Sequence, residues 1–236
     1  MTRLLLLALL AITSCAPVYV PNVRNSPMFT KAGEFQASVQ IGNGLEAQSA
    51  FAITEHFGVM ANYLYINATD AEEEADYSRH RLFEGGLGYF NNREDSFFEV
   101  FAGYGRGQGS TFDGFEFFGS QAVYATGKYE RYFVQPAFGM NKDEVNVSFA
   151  PRFSMVDFYE FSTESGGISI HEKPKFFFEP AVIGRANFAN NHMYVVFQAG
   201  VCLSMNEELY FDRRNFQLST GLGLRLGAVK KLVSRL

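Results

Sequence analysis

The chain has 236 residues, enough for one domain with a sizeable core, and a net charge of −5. This charge gives no basic surface for nucleic acid, and two cysteines are too few for a disulfide framework. Hydrophobic residues make up 47% of the chain, yet the mean hydropathy is only −0.07. No stretch beyond the N-terminal residues approaches the roughly 18 apolar residues of a membrane helix. Membrane β-barrels combine these properties, because their apolar residues occupy every second position.

The N-terminus has the features of a secretory signal peptide over residues 1–14. A basic residue precedes an apolar run that is too short to cross a membrane. Residues 12–15, Ile-Thr-Ser-Cys, resemble the lipobox of bacterial lipoproteins. This resemblance implies that Cys15 becomes the acylated first residue of the mature protein. An ordinary signal peptide with an incidental Cys15 is the alternative.

Residues 15–32 are interpreted as a lipidated tether. Pro17, Pro21 and Pro27 lie in it, and proline lacks the amide donor of a sheet ladder, so we expect no strand here. The residues after Cys15 lack the acidic cluster that sends some lipoproteins to the cell surface. The anchor is therefore predicted in the periplasmic leaflet.

Residues 33–227 alternate between apolar and polar side chains with a period of two. The alternation is clearest beside the polar break at residues 141–144, after which Val145 and Val147 share one face while Asn146 and Ser148 share the other. Strict alternation indicates β-strands. Strands of more than ten residues suit tilted passage across a bilayer, which takes about 9–11 residues.

The predicted fold is all-β, an antiparallel up-and-down transmembrane β-barrel of ten strands. Eight strands are the alternative, because the connection at residues 42–44 is very short and strands one and two could form one bent strand. The predicted strands comprise residues 33–41, 45–54, 57–67, 81–90 and 97–105, two strands in the central hairpin at 128–161, and residues 176–189, 193–205 and 215–226.

The connections predict an orientation for this barrel. Those after strands two, four, six and eight are short, whereas three of the others have about ten residues or more. In bacterial barrels the short turns face the periplasm and the long loops face the exterior. Both termini are therefore predicted on the periplasmic side, and residues 228–236 form a basic periplasmic tail.

The polar strand faces carry charged residues that a membrane barrel would enclose. In a narrow barrel such charges pair and plug the lumen, although a selective path for a small solute or ion is the alternative. The other alternative is a soluble barrel, which would place these charges on its outer surface. The many glycines of these strands would pack poorly in the core of such a barrel. The predicted lumen network consists of Glu46, Glu84, Glu99, Arg131, Arg152, Glu179, Arg185 and Arg225.

The barrel region resembles small outer-membrane proteins of the OmpA/OmpX type, joined here to a lipoprotein anchor. Fold does not fix function. The predicted function is a non-enzymatic structural or accessory subunit of an outer-membrane complex, in contact with outer-membrane lipids, lipopolysaccharide and other outer-membrane proteins. No cofactor or metal is expected. The alternatives are a narrow channel for small solutes or ions and a barrel enzyme acting on lipid A or peptides. Candidate catalytic groups would be Ser78 with His80, or Asp157 and Asp212 with His171.

Overall fold

The regular secondary structure of this chain is β-structure throughout the described residues. The computed structural model describes residues 17–69, 76–113, 123–163, 168–169 and 173–227. No helix in those ranges is long and apolar enough to span a membrane. The predicted signal peptide, Cys15 and the tail at residues 228–236 lie outside them. The strands are β1 (Phe35–Ile41), β2 (Leu45–Ala52), β3 (Phe57–Thr69), β4 (Tyr77–Arg93), β5 (Ser96–Asp113), β6 (Val123–Asn141), β7 (Val145–Phe149), β8 (Phe153–Thr163), β9 (Ile168–Ser169), β10 (Lys175–Phe178), β11 (Ala181–Phe188), β12 (Met193–Val201), β13 (Leu203–Ser204) and β14 (Phe216–Leu226).

The strands form one closed antiparallel barrel. β1 pairs with β2 on one side and with β14 on the other, over Phe35–Ile41 in both cases. Three pairs of segments, β7 with β8, β10 with β11 and β12 with β13, each continue one span. The described residues therefore form ten spans, with the short β9 added at the edge of β8. The ten-strand prediction is confirmed and the eight-strand alternative is wrong.

A row of prolines explains two of the interrupted spans. The strand registers above and below the interruption place Pro136 opposite Pro151. They also place Pro151 opposite Pro180. Because proline has no amide donor, the ladder is interrupted at this level. The neighbouring backbone groups still pair, as Arg152 N donates to Glu179 O and Val201 N to Pro180 O.

The outer wall is apolar around the barrel, as expected for a wall that faces lipid. Its exposed side chains include Val39, Phe51, Leu87, Val134, Phe153, Val182, Phe197 and Leu222. Alternate residues on the same strands are buried in the lumen and are largely polar. This is the architecture of an outer-membrane barrel, because a soluble barrel would turn its apolar side chains inward.

The two ends of the barrel differ in their connections. The short-turn rim carries residues 53–56, 94–95, 142–144 and 189–192. The opposite rim, here called the long-connection rim, carries residues 42–44 and 205–215 together with the strand ends Thr69, Tyr77, Asp113, Val123 and Thr163. β4, β5 and β6 have 17, 18 and 19 residues and extend furthest toward the long-connection rim. The predicted end of the fifth strand at residue 105 is wrong, because β5 continues to Asp113. Gly107 lies on the inner side of β5, where a Cβ would overlap the ring of Tyr129.

The main departure from the sequence analysis concerns residues 17–29, here called the luminal segment. Every residue in it is buried inside the barrel. It begins at the long-connection rim, where Val18 N donates to Asp212 O over 3.1 Å. It ends at the short-turn rim, where Phe29 packs on Phe90 with ring centroids 5.1 Å apart. The chain then turns through Gly33, at φ 77°, into β1.

Residues 17–29 lie in the lumen, which differs from the tether that the sequence predicts at residues 15–32. The expectation of no strand there is met, because the luminal segment joins no strand of the barrel and makes only one isolated bridge, between Tyr19 and Arg213. Pro17 and Gly227, the first and last described residues, lie at opposite rims. The predicted placement of both termini on one side of the membrane is therefore not supported.

Candidate functional site

An aromatic layer closes the lumen at the long-connection rim. Tyr19 of the luminal segment stacks on Phe177 with ring centroids 5.1 Å apart, and its edge meets Tyr129 at 5.4 Å. Phe211 turns inward from the connection before β14 and packs on Phe158 at 4.6 Å. These rings are buried and belong to one apolar cluster.

A second apolar layer lies at the short-turn rim. Phe29 packs in a cluster with Met60, Phe90, Phe101 and Phe133. The preceding residue, Met28, belongs to a neighbouring cluster that includes Phe97, Ile183 and Tyr194. The luminal segment therefore ends in apolar contacts at both rims, and its polar residues lie between them.

Four of the eight predicted lumen charges form one ion-pair network in the polar middle. Glu84 lies 3.2 Å from Arg152 and 3.5 Å from Arg131, and Glu179 lies 3.4 Å from Arg131. Arg24 of the luminal segment extends the network, at 3.4 Å from Glu179. All of these side chains have no exposed surface. Opposite charges at these distances offset part of the cost of removing each group from water.

Three more of the predicted charges bind the backbone of the luminal segment. Both carboxylate oxygens of Glu46 accept from Val23 N, at 3.0 and 2.9 Å. Glu99 accepts from Met28 N at 3.0 Å and from the hydroxyl of Ser26. Arg185 donates to the backbone carbonyls of Ser26 and Pro27.

The eighth predicted charge, Arg225, lies apart from the network. It pairs with Glu34 at 3.3 Å, just before β1 begins. The structure therefore buries all eight predicted residues in the lumen and distributes them over three kinds of contact: a central network, bonds to the luminal segment, and one separate pair.

Sequence reasoning missed the groups that the luminal segment supplies, and it also missed Glu34, which lies just before β1. Among the described residues, Arg24 of the segment and Glu34 bring the buried charges to five Glu and five Arg. Asn22 adds amide contacts to Glu84 at 2.8 Å and to Arg152 at 2.9 Å. One signal for this was present in the sequence. Residues 17–29 contain a single charged residue, Arg24, which is unusual for a tether exposed to water.

The candidate catalytic residues are not assembled into a site in the part of the chain that the structure describes. His80 is buried, and its Nε2 lies 3.0 Å from the Tyr129 hydroxyl oxygen. Asp157 lies on the outward side of β8, whereas Asp212 lies in the connection before β14. His171 falls outside the described residues. Within those residues, no group of three or more His, Cys, Asp or Glu side chains could hold a metal ion.

Comparison with known proteins gives a fold likeness and no family. No protein-family model matches the chain, and no curated protein matches it. Among solved structures, the chain is similar to the translocator domain of the autotransporter NalP from Neisseria meningitidis. The TM-score is 0.47 and the sequence identity is 10%, over 81% of this chain and 85% of that chain.

Proposed function

We propose that this chain is a non-enzymatic outer-membrane β-barrel lipoprotein that serves as a structural or accessory subunit of an outer-membrane assembly. The observation that carries this proposal is the occupation of the lumen by residues 17–29. A barrel filled by its own chain has no interior left for transport. Its interactions must then be made by the outer wall and the two rims.

The contacts of the luminal segment favour a permanently closed barrel over a channel. Opening a path would separate Arg24 from Glu179 and Val23 N from Glu46. Each separation would leave a buried charged or polar group without its partner, which costs about 1–3 kcal/mol for a hydrogen-bonding group and more for a charge. The aromatic and apolar layers would also have to part at both rims.

The outer wall offers a place for lipopolysaccharide at the long-connection rim. A groove of about 370 Å³ is lined there by exposed cations, tyrosine and hydroxyl groups, among them Tyr65, Arg79, Arg81, Ser110 and Lys128. The guanidinium of Arg81 lies over the ring of Tyr65, 5.5 Å from its centroid. Arginine and lysine at headgroup level attract phosphate, and tyrosine is typical of the membrane interface. We therefore include outer-membrane lipids and lipopolysaccharide, together with other outer-membrane proteins, among the partners.

Two measurements test this function. Purified protein in planar lipid bilayers should give no steady current, and a steady single-channel current from the unmodified chain would favour the channel alternative. A tagged chain solubilised gently from its native membrane should carry a second outer-membrane protein in fixed proportion. Purification as a lone monomer under these conditions would contradict the accessory role. Replacement of His80→Ala should leave the lipid A of the cells unchanged.

A further inference from the structure

The luminal segment reaches past the apolar belt of the outer wall. The backbone carbonyl of Val18 lies against Gly109, where a Cβ would overlap it. Gly109 pairs with His80 on one side and with Gly127 on the other. The outward residues next to this row are Arg81, Gln108 and Lys128, which are exposed and form one cross-strand row.

The outer wall shows where the membrane ends on this side. Tyr104 and Tyr132 lie side by side with ring centroids 5.1 Å apart. They are closer to the short-turn rim than the row of Arg81, Gln108 and Lys128. The next outward row contains the ion pair of Arg106 with Glu130, at 2.7 Å. An aromatic pair followed by charged rows marks the boundary between hydrocarbon and headgroups. Val18 is level with the rows beyond that boundary, so the luminal segment has crossed the whole apolar belt by this residue.

The covalent chain then limits where Cys15 can be. It lies three residues before Val18, and an extended chain covers at most about 3.6 Å per residue. Cys15 is therefore within roughly 11 Å of Val18. The opposite rim lies at the far end of the luminal segment, which needs thirteen residues to cross the barrel.

We propose that the mature N-terminus is threaded through the barrel to the cell surface, and that acylated Cys15 is anchored in the outer leaflet at the long-connection rim. This inference rests on the proposed function, an outer-membrane lipoprotein barrel, and on the rule that short turns face the periplasm. The ligand is the outer leaflet itself. It receives the acyl chains beside the groove of Tyr65, Arg81 and Lys128.

The contacts of the luminal segment bind it to several spans of the barrel wall. Its donors reach carboxylates on separate spans, with Val23 bonded to Glu46 of β2, Met28 to Glu99 of β5 and Tyr19 to Glu179 between β10 and β11. A periplasmic anchor would require the segment to leave the lumen, and these buried carboxylates would lose their partners.

Surface labelling of intact cells tests this topology. One variant carries a short epitope between Ala16 and Pro17, a matched variant carries it after Leu236, and a third carries it within residues 164–167. Antibody should bind the first and third variants on intact cells as strongly as on permeabilised cells. The C-terminal epitope should bind only after permeabilisation. If the first epitope is silent on intact cells while the third is labelled, the threading is overturned.

A second variant covers the case in which the epitope blocks assembly. Ala16→Cys on a Cys202→Ser background adds one thiol next to the predicted anchor, and a membrane-impermeant maleimide should modify it on intact cells. The mass of the N-terminal peptide should include acyl chains and should lose them in Cys15→Ala. Labelling of residue 16 only after permeabilisation overturns the outer-leaflet anchor and leaves the proposed function in place. An unmodified Cys15 would contradict the anchor and also the lipoprotein part of the proposed function.

Discussion

At the scale of single residues, each buried carboxylate of the lumen is matched by a donor far away in sequence. Alternation shows which side of a strand a residue faces, and it placed eight charges inward from the sequence alone. It does not show which residues meet. Glu46, for example, bonds to the backbone of Val23 and, within the described ranges, to no arginine. Glu99 bonds to Ser26 and Met28. These partners belong to the luminal segment, whose position cannot be predicted from the alternation of residues in the strands.

Glu46 provides the simplest test of a contact between wall and segment. Glu46→Ala removes both acceptors of Val23 N and leaves a buried amide unpaired, which should lower the free energy of unfolding by about 1–3 kcal/mol. Glu46→Gln keeps one acceptor oxygen and should recover most of this loss. The measurement is the fraction of folded protein across a urea series. Folded protein is recognised on gels because its migration changes when the sample is heated. Equal midpoints for the alanine and glutamine variants would contradict the predicted contact.

Arg131 tests the central network, because it faces both Glu84 and Glu179. Arg131→Met would leave an excess of buried negative charge and should cost about 3–5 kcal/mol of unfolding free energy. Arg106→Met is the matched control. Its pair with Glu130 lies on the outer surface, with 68% of the arginine side chain exposed, so its urea midpoint should stay at the wild-type value. Similar losses of unfolding free energy in the two variants would contradict the prediction that the buried network stabilises the barrel more than a surface ion pair does.

At the scale of elements, the luminal segment is stabilised by the barrel and by no ladder of its own. Its prolines correctly excluded a strand, but the same prolines are equally compatible with an exposed tether. What distinguishes the two is whether the backbone donors and acceptors meet water or protein. Here Gln48 donates to Val23 O and Gln135 to Asn25 O, so amides of the wall replace water.

Gly109 tests how closely the segment fits the wall. A methyl group there would overlap the carbonyl of Val18, whereas a methyl group at Gly184 would meet nothing within 4 Å. Gly109→Ala should therefore displace the start of the segment, at a cost of about 1–3 kcal/mol for overpacking. Hydrogen exchange of the backbone amides of residues 18–20 should become faster in Gly109→Ala and stay unchanged in Gly184→Ala. Unchanged exchange in both variants would show that Val18 does not lie against Gly109.

At the scale of the whole molecule, the barrel itself could be predicted from the sequence and its contents could not. The period-two pattern, the count of ten strands and the apolar outer wall all follow from which side chains face lipid. The extra length of β5 was missed because its glycines resemble a loop, although they make room for Tyr129 and Val18. The lumen was expected to be filled by side chains from the wall. The structure fills it with the chain's own N-terminal residues, whose place depends on three-dimensional complementarity.

A pair of cysteines can decide whether residues 17–29 occupy the lumen. The hydroxyl oxygens of Ser26 and Ser148 lie 3.0 Å apart, so cysteines at these positions need only a small movement to form a disulfide bond of about 2 Å. The control pairs Ser26→Cys with Ser154→Cys, which faces the lumen from the same span but lies six residues further, roughly 20 Å along an extended strand. Both variants carry Cys202→Ser, which removes the buried free thiol.

We expect the 26–148 pair to be oxidised in nearly every molecule taken from the outer membrane, and the 26–154 pair to keep two free thiols, as measured by the mass of the protein after alkylation. A 26–148 pair that remains reduced and reacts with a small maleimide as fast as an exposed thiol would place residues 17–29 outside the barrel.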